Sequence, residues 1–172
     1  EILNKISDNP SGASLIAVCH VLEKESKLFQ RVLILDGVQD PGNLGTLIRT
    51  AVSFSFDAIY CSKETVDLYN EKVLRASEGM IFNINIVKKN LIDSIMELKV
   101  KGYKIIGTKV NNGIDIKDID VDKYAFIIGN EGKGISEDIL NICDKYVYIP
   151  MNNKCESLNA SIASSIIMYE IN

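Results

Sequence analysis

The sequence predicts an α/β fold built on a mostly parallel, six-stranded sheet with helices on both faces. From Arg31 onward, six short runs rich in β-branched residues alternate with segments of helical periodicity. The runs are almost continuously apolar, which is typical of strands buried on both faces of a parallel sheet. In such a sheet, ligands bind in the loops that follow the strands.

Each element follows from its own pattern of residues. The predicted strands are RVLILD (31–36), DAIYC (57–61), INIV (84–87), YKIIGT (103–108), YAFIIG (124–129) and YVYIP (146–150). The predicted helices cover 43–54, roughly 70–76, 90–101, 136–143 and a last segment from about Ser157. The charged run DIKDIDVDK is interpreted as a solvated loop.

The length predicts a single domain. A chain of 172 residues, 47% of them hydrophobic, can bury a substantial core and is too short to make two domains the first expectation. Residues 1–30 contain SDNPSGASLIAV, which predicts a turn and one apolar strand without partner strands. We therefore expect residues 1–30 to be a remnant of a preceding domain and its linker.

Composition excludes several classes of protein. No run approaches the roughly 20 apolar residues that cross a bilayer, so we expect a cytoplasmic protein. The formal net charge of −4 argues against a surface that binds nucleic acid everywhere, although a local basic patch fits the sequence. The four cysteines are isolated from one another, so we expect reduced thiols and no metal site.

The first unusual loop, DGVQDPGNLG, leads into a helix with one polar side. On a 3.6-residue period, that side carries Asn43, Thr46, Arg49, Thr50 and Ser53. An N-capping asparagine and a solvated arginine are the ordinary interpretation. The small side chains around the arginine favour instead a shallow surface that a substrate can approach.

The second loop, GNEGKGIS, has three glycines in six residues, which let a backbone approach a ligand closely. It matches neither the P-loop nor the dinucleotide-binding template, because Ile127 and Glu137 occupy positions where these need glycine. A strand-to-helix connection capped by Ser136 explains the glycines but leaves Glu131 unexplained.

The third loop, IPMNNKCESLN, leads into the last predicted helix. Ser157 and Asn159 near its start would ordinarily be an N-cap and a first-turn residue. Apolar residues lie on two faces of the helix, with Leu158, Ile162, Ile166 and Tyr169 on one and Ala160, Ile167 and Ile171 on the other. Such a helix is either central in its own domain or shared with a second subunit.

Together and in this order, DPGNLGTLIRTA, FIIGNEGKGIS and VYIPMNNKCESLNASIA resemble the three motifs of the SpoU/TrmH family of S-adenosylmethionine-dependent RNA 2′-O-ribose methyltransferases. RASEG at 75–79 is similar to a further family segment. The resemblance implies a SPOUT-type domain over 31–172 with a C-terminal trefoil knot, preceded by the end of an RNA-binding domain at 1–30. The sequence departs from the family at NNK (152–154), where members often carry a small residue and glycine.

The resemblance also implies roles for individual residues. The catalytic or substrate-facing positions are Arg49, Asn43, Glu131, Ser157 and Asn159. The positions that contact S-adenosylmethionine are Gly129, Ile149, Leu158, Thr108, Met151 and Ser157. The implied partners are an rRNA or tRNA substrate and a second copy of the chain, with Arg49 of one subunit facing the cofactor of the other, and no metal or membrane.

The implied reaction is an in-line attack of a ribose hydroxyl on the sulfonium methyl group. Arginine is a poor base because its guanidinium keeps its proton beyond pH 12. Two roles for Arg49 therefore stay open, a positioner of phosphate or hydroxyl and a base activated in the bound state. The alternatives from other classes are a non-catalytic RNA-binding protein that retains the fold and an ordinary nucleotide-binding α/β domain.

Overall fold

The computed structural model describes residues 2–7, 12, 14–18, 20, 29–109, 113–119, 122–152 and 154–172. The strands in these ranges are β1 (Arg31–Asp36), β2 (Ala58–Cys61), β3 (Asn85–Lys88), β4 (Lys104–Thr108), β5 (Ile114–Asp115), β6 (Tyr124–Gly129) and β7 (Lys145–Tyr148). The α-helices are α1 (Ile2–Ile6), α2 (Pro41–Ser53), α3 (Glu71–Ala76), α4 (Leu91–Val100), α5 (Glu137–Leu140) and α6 (Ala160–Glu170). Short 3₁₀ helices cover Met80–Phe82 and Ile116–Asp118.

The α/β class and the parallel sheet are confirmed, but the number of strands was predicted wrongly. The described residues form seven strands in the order β3-β2-β1-β6-β4-β7-β5, and every neighbouring pair is parallel. The additional strand, β5, has two residues and includes the start of the run interpreted as a solvated loop. It exists because Ile114 and Asp115 pair with β7, a contact between distant segments that local periodicity does not show.

Helices cover both faces of the sheet, as predicted. Leu33 and Leu35 of β1 belong to a core shared with α2 and α6. Val32 and Ile34, which point to the opposite face, belong to a second core shared with α4 and α5. All four side chains are fully buried, which explains why the central strands read as uninterrupted apolar runs.

The helix α2 begins earlier than predicted. Asp40 is its N-cap and accepts a hydrogen bond from the backbone N–H of Asn43 at 2.7 Å, and Pro41 occupies the first helical position. The predicted apolar side is buried at Leu44, Leu47, Ile48 and Ala51. Asn43, expected on the open polar side, is only 7% exposed because neighbouring loops cover it.

Two other helices also differ from their predicted limits. The last helix starts at Ala160, with Asn159 rather than Ser157 as its N-cap. The helix predicted over 136–143 is the four-residue α5, because the chain turns back toward β7 through Asp144. The carboxylate of Asp144 accepts the backbone N–H of Ile105 and the ammonium of Lys99, both at 2.8 Å, and so fixes this turn.

The described part of the N-terminal region contains α1 but no strand. The apolar strand predicted there was wrong for residues 14–18, which have no regular structure and are exposed. No helix in the described residues is both long enough and apolar enough to span a bilayer. Of the cysteines, Cys19 lies outside the described residues, whereas Cys61, Cys143 and Cys155 are free thiols.

The contact between α2 and α3 depends on Gly45. A Cβ atom at this position would lie 2.4 Å from Cβ of Ala76 and 2.7 Å from the carbonyl oxygen of Val73. Because backbone atoms cannot rotate away, Gly45→Ala should force the two helices apart. Overpacking typically costs about 1–3 kcal/mol, and the higher helix propensity of alanine offsets about 1 kcal/mol of this cost. Because contacts of 2.4 and 2.7 Å are far shorter than van der Waals distance, the cost should lie in the upper part of this range.

We therefore expect Gly45→Ala to lower the free energy of unfolding by about 1–2 kcal/mol, measured by urea denaturation. Gly132→Ala is the control, since a Cβ there meets only the Asn130 side chain at 3.7 Å. Equal stabilities of the two variants would contradict the packing argument.

Candidate functional site

A cleft of about 410 Å³ opens at the carboxyl ends of β6, β4 and β7, which are neighbours in the sheet. One wall is the turn over 129–134, and the other is the start of α6. All six residues predicted to contact a cofactor line this cleft, namely Thr108, Gly129, Ile149, Met151, Ser157 and Leu158. Its size and mixed lining are those of a small-molecule site.

The turn over 129–134 folds back across the end of β6. A Cβ atom on Gly129 would lie 2.1 Å from the backbone of Gly134, so only glycine fits at this position. Gly134 has φ +72°, a conformation that L side chains rarely adopt. The glycines of this loop therefore serve close backbone packing, which brings the turn against the cleft.

Asn130 organises the same turn, and the motif pattern gave no reason to single it out. Its side chain accepts hydrogen bonds from two backbone N–H groups inside the turn and donates one to the carbonyl oxygen of Gly37. The available signal was an asparagine directly after a strand, a residue type that often bonds the backbone two residues further on.

The carboxylate of Glu131 joins the second loop to the first. Its Oε1 accepts the side-chain amide of Asn43 and the backbone N–H of Asp40, each at 3.1 Å. Its Oε2 accepts the backbone N–H of Gln39 at 3.2 Å. The glutamate that a plain strand-to-helix connection left unexplained therefore holds the start of α2 in place.

Asn159 extends this network to the third loop. Its Nδ2 donates to Oδ1 of Asn43 at 3.0 Å. Its Oδ1 caps α6 by accepting the backbone N–H groups of Ser161 and Ile162. Asn43, Glu131 and Asn159, predicted from three separate motifs, thus form one hydrogen-bonded chain, and each uses its polar atoms on protein partners.

Hydrogen bonding determines the charge state of Glu131. Partial burial would raise the pKa of this carboxyl, but the bonds from Asn43, Gln39 and Asp40 outweigh it and hold the pKa below its ordinary value. Glu131 is therefore a carboxylate at neutral pH. A carboxylate that is already bonded and has a lowered pKa is a weak proton acceptor, which favours a structural role.

The third loop passes from β7 along the cleft, and Asn152 shapes its turn. Oδ1 of Asn152 accepts the backbone N–H of Lys154 at 2.9 Å, and its carbonyl oxygen accepts that of Cys155 at 2.9 Å. The NNK departure from the family pattern thus supplies a side chain that closes the turn. Ser157 lies outside α6, exposed at the cleft rather than used as a helix cap.

Arg49 lies apart from the other predicted residues. It is exposed on α2, does not line the cleft, and its guanidinium has no hydrogen bond or ion pair within the described part of the chain. The next residue, Thr50, contacts Ser165 of α6 through their hydroxyls at 3.3 Å. The arginine therefore stands beside the face shared by α2 and α6.

The sequence profile of the SpoU rRNA Methylase family matches residues 30–169. The chain belongs to this family. The matched region of this SpoU chain includes both walls of the cleft and all three loops of the Glu131 network.

Relatives of the SpoU chain include the 23S rRNA (guanosine(2553)-2′-O)-methyltransferase RlmP of Bacillus subtilis, 37% identical over 99% of this chain and 69% of that protein. An AdoMet-bound rRNA methyltransferase from Sinorhizobium meliloti has a similar structure, with a TM-score of 0.77, 31% identity, and coverage of 82% of this chain and 55% of that one. AviRb from Streptomyces viridochromogenes, solved with AdoMet, gives a TM-score of 0.77 at 28% identity, covering 84% and 58%. The chain thus spans 55–69% of the length of these proteins.

The Glu131 network predicts a pH-dependent contribution to stability. Glu131→Gln places an amide N–H₂ where N–H donors now converge, so it should lower the free energy of unfolding at pH 7 by about 1 kcal/mol. Because the folded pKa is lowered, this contribution is present above about pH 4.3, the ordinary glutamate pKa, and is lost as the pH falls through the folded value.

Urea denaturation of the parent protein and of Glu131→Gln, at pH 7 and at pH 3.5, measures the difference in their free energies of unfolding. The difference in the free energy of unfolding should shrink at pH 3.5, because this pH lies below the ordinary glutamate pKa and the unfolded chain then binds a proton that the folded carboxylate resists. Glu156→Gln, which changes an exposed carboxylate, is the matched control and should show no difference at either pH. If Glu131→Gln lowers the free energy of unfolding equally at both pH values, the charge of Glu131 is not the cause.

Proposed function

We propose that this chain transfers a methyl group from S-adenosylmethionine to a ribose 2′-hydroxyl of RNA. The observation that carries the proposal is that one cleft, at the carboxyl ends of parallel strands, is lined by the second and third family motifs and is connected by side-chain hydrogen bonds to the first. The Bacillus relative is named for the same reaction on 23S rRNA, and two similar structures hold AdoMet. This makes 23S rRNA the first substrate to test.

The cleft residues fit an adenosyl group. Ile149, Met151 and Leu158 offer apolar side chains for the adenine ring, and the backbone near Gly129 offers polar groups for its edge. The small residues Ala163 and Ser164 of α6 leave the floor of the cleft open. The bound donor supplies a methyl group on a sulfonium, whose thioether leaves without help from a metal.

The polar residues divide into two roles. Asn43, Glu131 and Asn159 bond to one another and to backbone, so we assign them the positioning of the three loops. Arg49 has no such partner in the described residues and keeps its donors for an RNA phosphate or the reacting hydroxyl. We assign Ser157, which lines the cleft, to orienting that hydroxyl.

A second copy of the chain completes the site in this proposal. One face of α6 carries Ile162, Ile166 and Tyr169, whose exposed fractions are 54%, 37% and 68%. This face lies next to α2, the helix that carries Arg49. An exposed apolar stripe of this kind is typical of an interface. Pairing two copies through it would bury the stripe and bring Arg49 of one toward the cleft of the other.

The proposal also includes a C-terminal knot and a domain boundary. The C-terminal trefoil knot is supported by the sheet order, in which β7, a later strand of the chain, lies between β4 and β5. A crystal structure in which the chain after Tyr148 runs outside the connection between β4 and β5 would refute the threading. A domain boundary near residue 30, with residues 1–30 as the end of an RNA-binding domain, agrees with a family match that begins at residue 30.

The role of Arg49 can be tested directly. Arg49→Ala should lower methyl transfer to 23S rRNA by about a hundredfold or more, because the substrate loses its positioning group or base. Its affinity for S-adenosylmethionine, measured by calorimetry, should be nearly unchanged, since the proposal assigns Arg49 to the RNA and the adenosyl group to other residues of the cleft. Lys101→Ala, which removes an exposed charge beyond α4, is the control.

Full activity of Arg49→Ala would end the proposed role. Activity in Arg49→Lys would show that a positive charge suffices. A parent chain that binds RNA and ignores the donor would favour the non-catalytic alternative.

Arg49 acting across a dimer gives a distinct prediction for mixed subunits. Leu158→Glu places a charge in the adenine slot and should inactivate the cleft. Arg49→Ala subunits mixed with Leu158→Glu subunits form hybrids with one intact cleft facing one intact arginine. Mixing should restore about a quarter of the parent activity, because half of the dimers are hybrids and each has one working site.

If Arg49 acts within its own subunit, no hybrid has a complete site and mixing restores nothing. Light scattering before and after subunit exchange confirms that dimers are present and have mixed.

A further inference from the structure

The amide of Asn130 holds the cleft turn from inside. Its Oδ1 accepts the backbone N–H groups of Gly132 and Lys133, each at 3.0 Å. Its backbone exchanges two hydrogen bonds with Gly134, at 2.9 and 2.8 Å. The four bonds close the turn whose residues line the cleft.

The same amide ties the turn to the neighbouring strand. Asp36 is the last residue of β1 and Gly129 the last of β6, and the two are paired in the sheet. Gly37 follows the first and Asn130 follows the second. Nδ2 of Asn130 donates to the carbonyl oxygen of Gly37 at 2.8 Å, so it extends the pairing of the two strands beyond the sheet. The position of the turn is thereby fixed relative to the loop that Glu131 also binds.

An amide meets two demands at this position, because it offers both an acceptor and a donor. The turn needs an acceptor for two N–H groups, and the carbonyl of Gly37 needs a donor. Aspartate offers acceptors only and would set a carboxylate against that carbonyl, whereas leucine has nearly the same shape and offers neither function.

We propose that Asn130 is a positioning residue that presets the donor cleft by fastening its turn to the loop after β1. This inference rests on the proposed function, since it concerns how the same cleft binds S-adenosylmethionine. Asn130 acts through the shape of the turn and not by chemistry on the methyl group.

Two variants separate the two functions of the amide. Asn130→Leu should raise the hydrogen-exchange rates of the amides over 131–134 in the free protein by about tenfold or more, because the turn loses its internal acceptor. Asn130→Asp should keep that protection, since an oxygen still accepts the same N–H groups. It should nevertheless weaken S-adenosylmethionine binding by about tenfold, because the turn is repelled from Gly37.

The kinetic readout distinguishes positioning from a general loss of structure. For Asn130→Asp, the KM for S-adenosylmethionine should rise about tenfold while kcat at saturating donor stays near the parent value. Asn83→Asp is the matched control, since its amide also donates to a glycine carbonyl, that of Gly79 at 3.3 Å, away from the cleft. The control should change neither constant.

The outcomes bear separately on the two claims. Unchanged exchange rates in Asn130→Leu, or parent-like donor affinity in Asn130→Asp, would overturn the role of Asn130. A parent protein that binds no S-adenosylmethionine would overturn the proposed function instead. In that case the exchange rates of Asn130→Leu still decide whether the amide holds the turn.

Discussion

The arrangement of the candidate site depends on the carboxylate of Glu131, which accepts three hydrogen bonds from the loop after β1 and the start of α2. Each such bond contributes only about 1 kcal/mol, so the effect is mainly geometric. Without an acceptor there, two backbone N–H groups and the Asn43 amide would need other partners. Through Asn43 and Asn159 the same contact also sets where α6 begins.

The order of strands explains why these loops meet. In the sheet, β6 lies between β1 and β4, although it follows both of them in the sequence. Parallel pairing then places the residues after Asp36 and after Gly129 side by side. One side of the 129–134 turn faces the loop after β1, and the other faces the cleft, so the position of that loop affects the shape of the cleft.

How far the sequence could predict this structure depended on whether a local signal existed. β1 and β6 were located to the residue because burial on both faces makes their runs apolar throughout. For α2, both Asp40 and Asn43 are good N-caps, and Pro41 was the local signal that favoured the former. No local signal could show the two-residue β5 or the bond between Asn43 and Glu131, which lie 88 residues apart.

The family resemblance identified residues that line the cleft. Only the contacts in the structure distinguish residues that position the loops from residues that remain available to a substrate. A polar side chain that is bonded to the protein cannot reorganise around a substrate without breaking those bonds. Asn43, Glu131 and Asn159 are bonded to one another and to backbone, whereas the guanidinium of Arg49 has no partner in the described residues and is exposed beside an apolar face of α6. A group that must bind a charged polymer has to remain solvent-accessible until that polymer arrives. The open position of Arg49 is therefore what its proposed role requires, and the exposed stripe beside it explains how a second subunit could bring the arginine to a cleft.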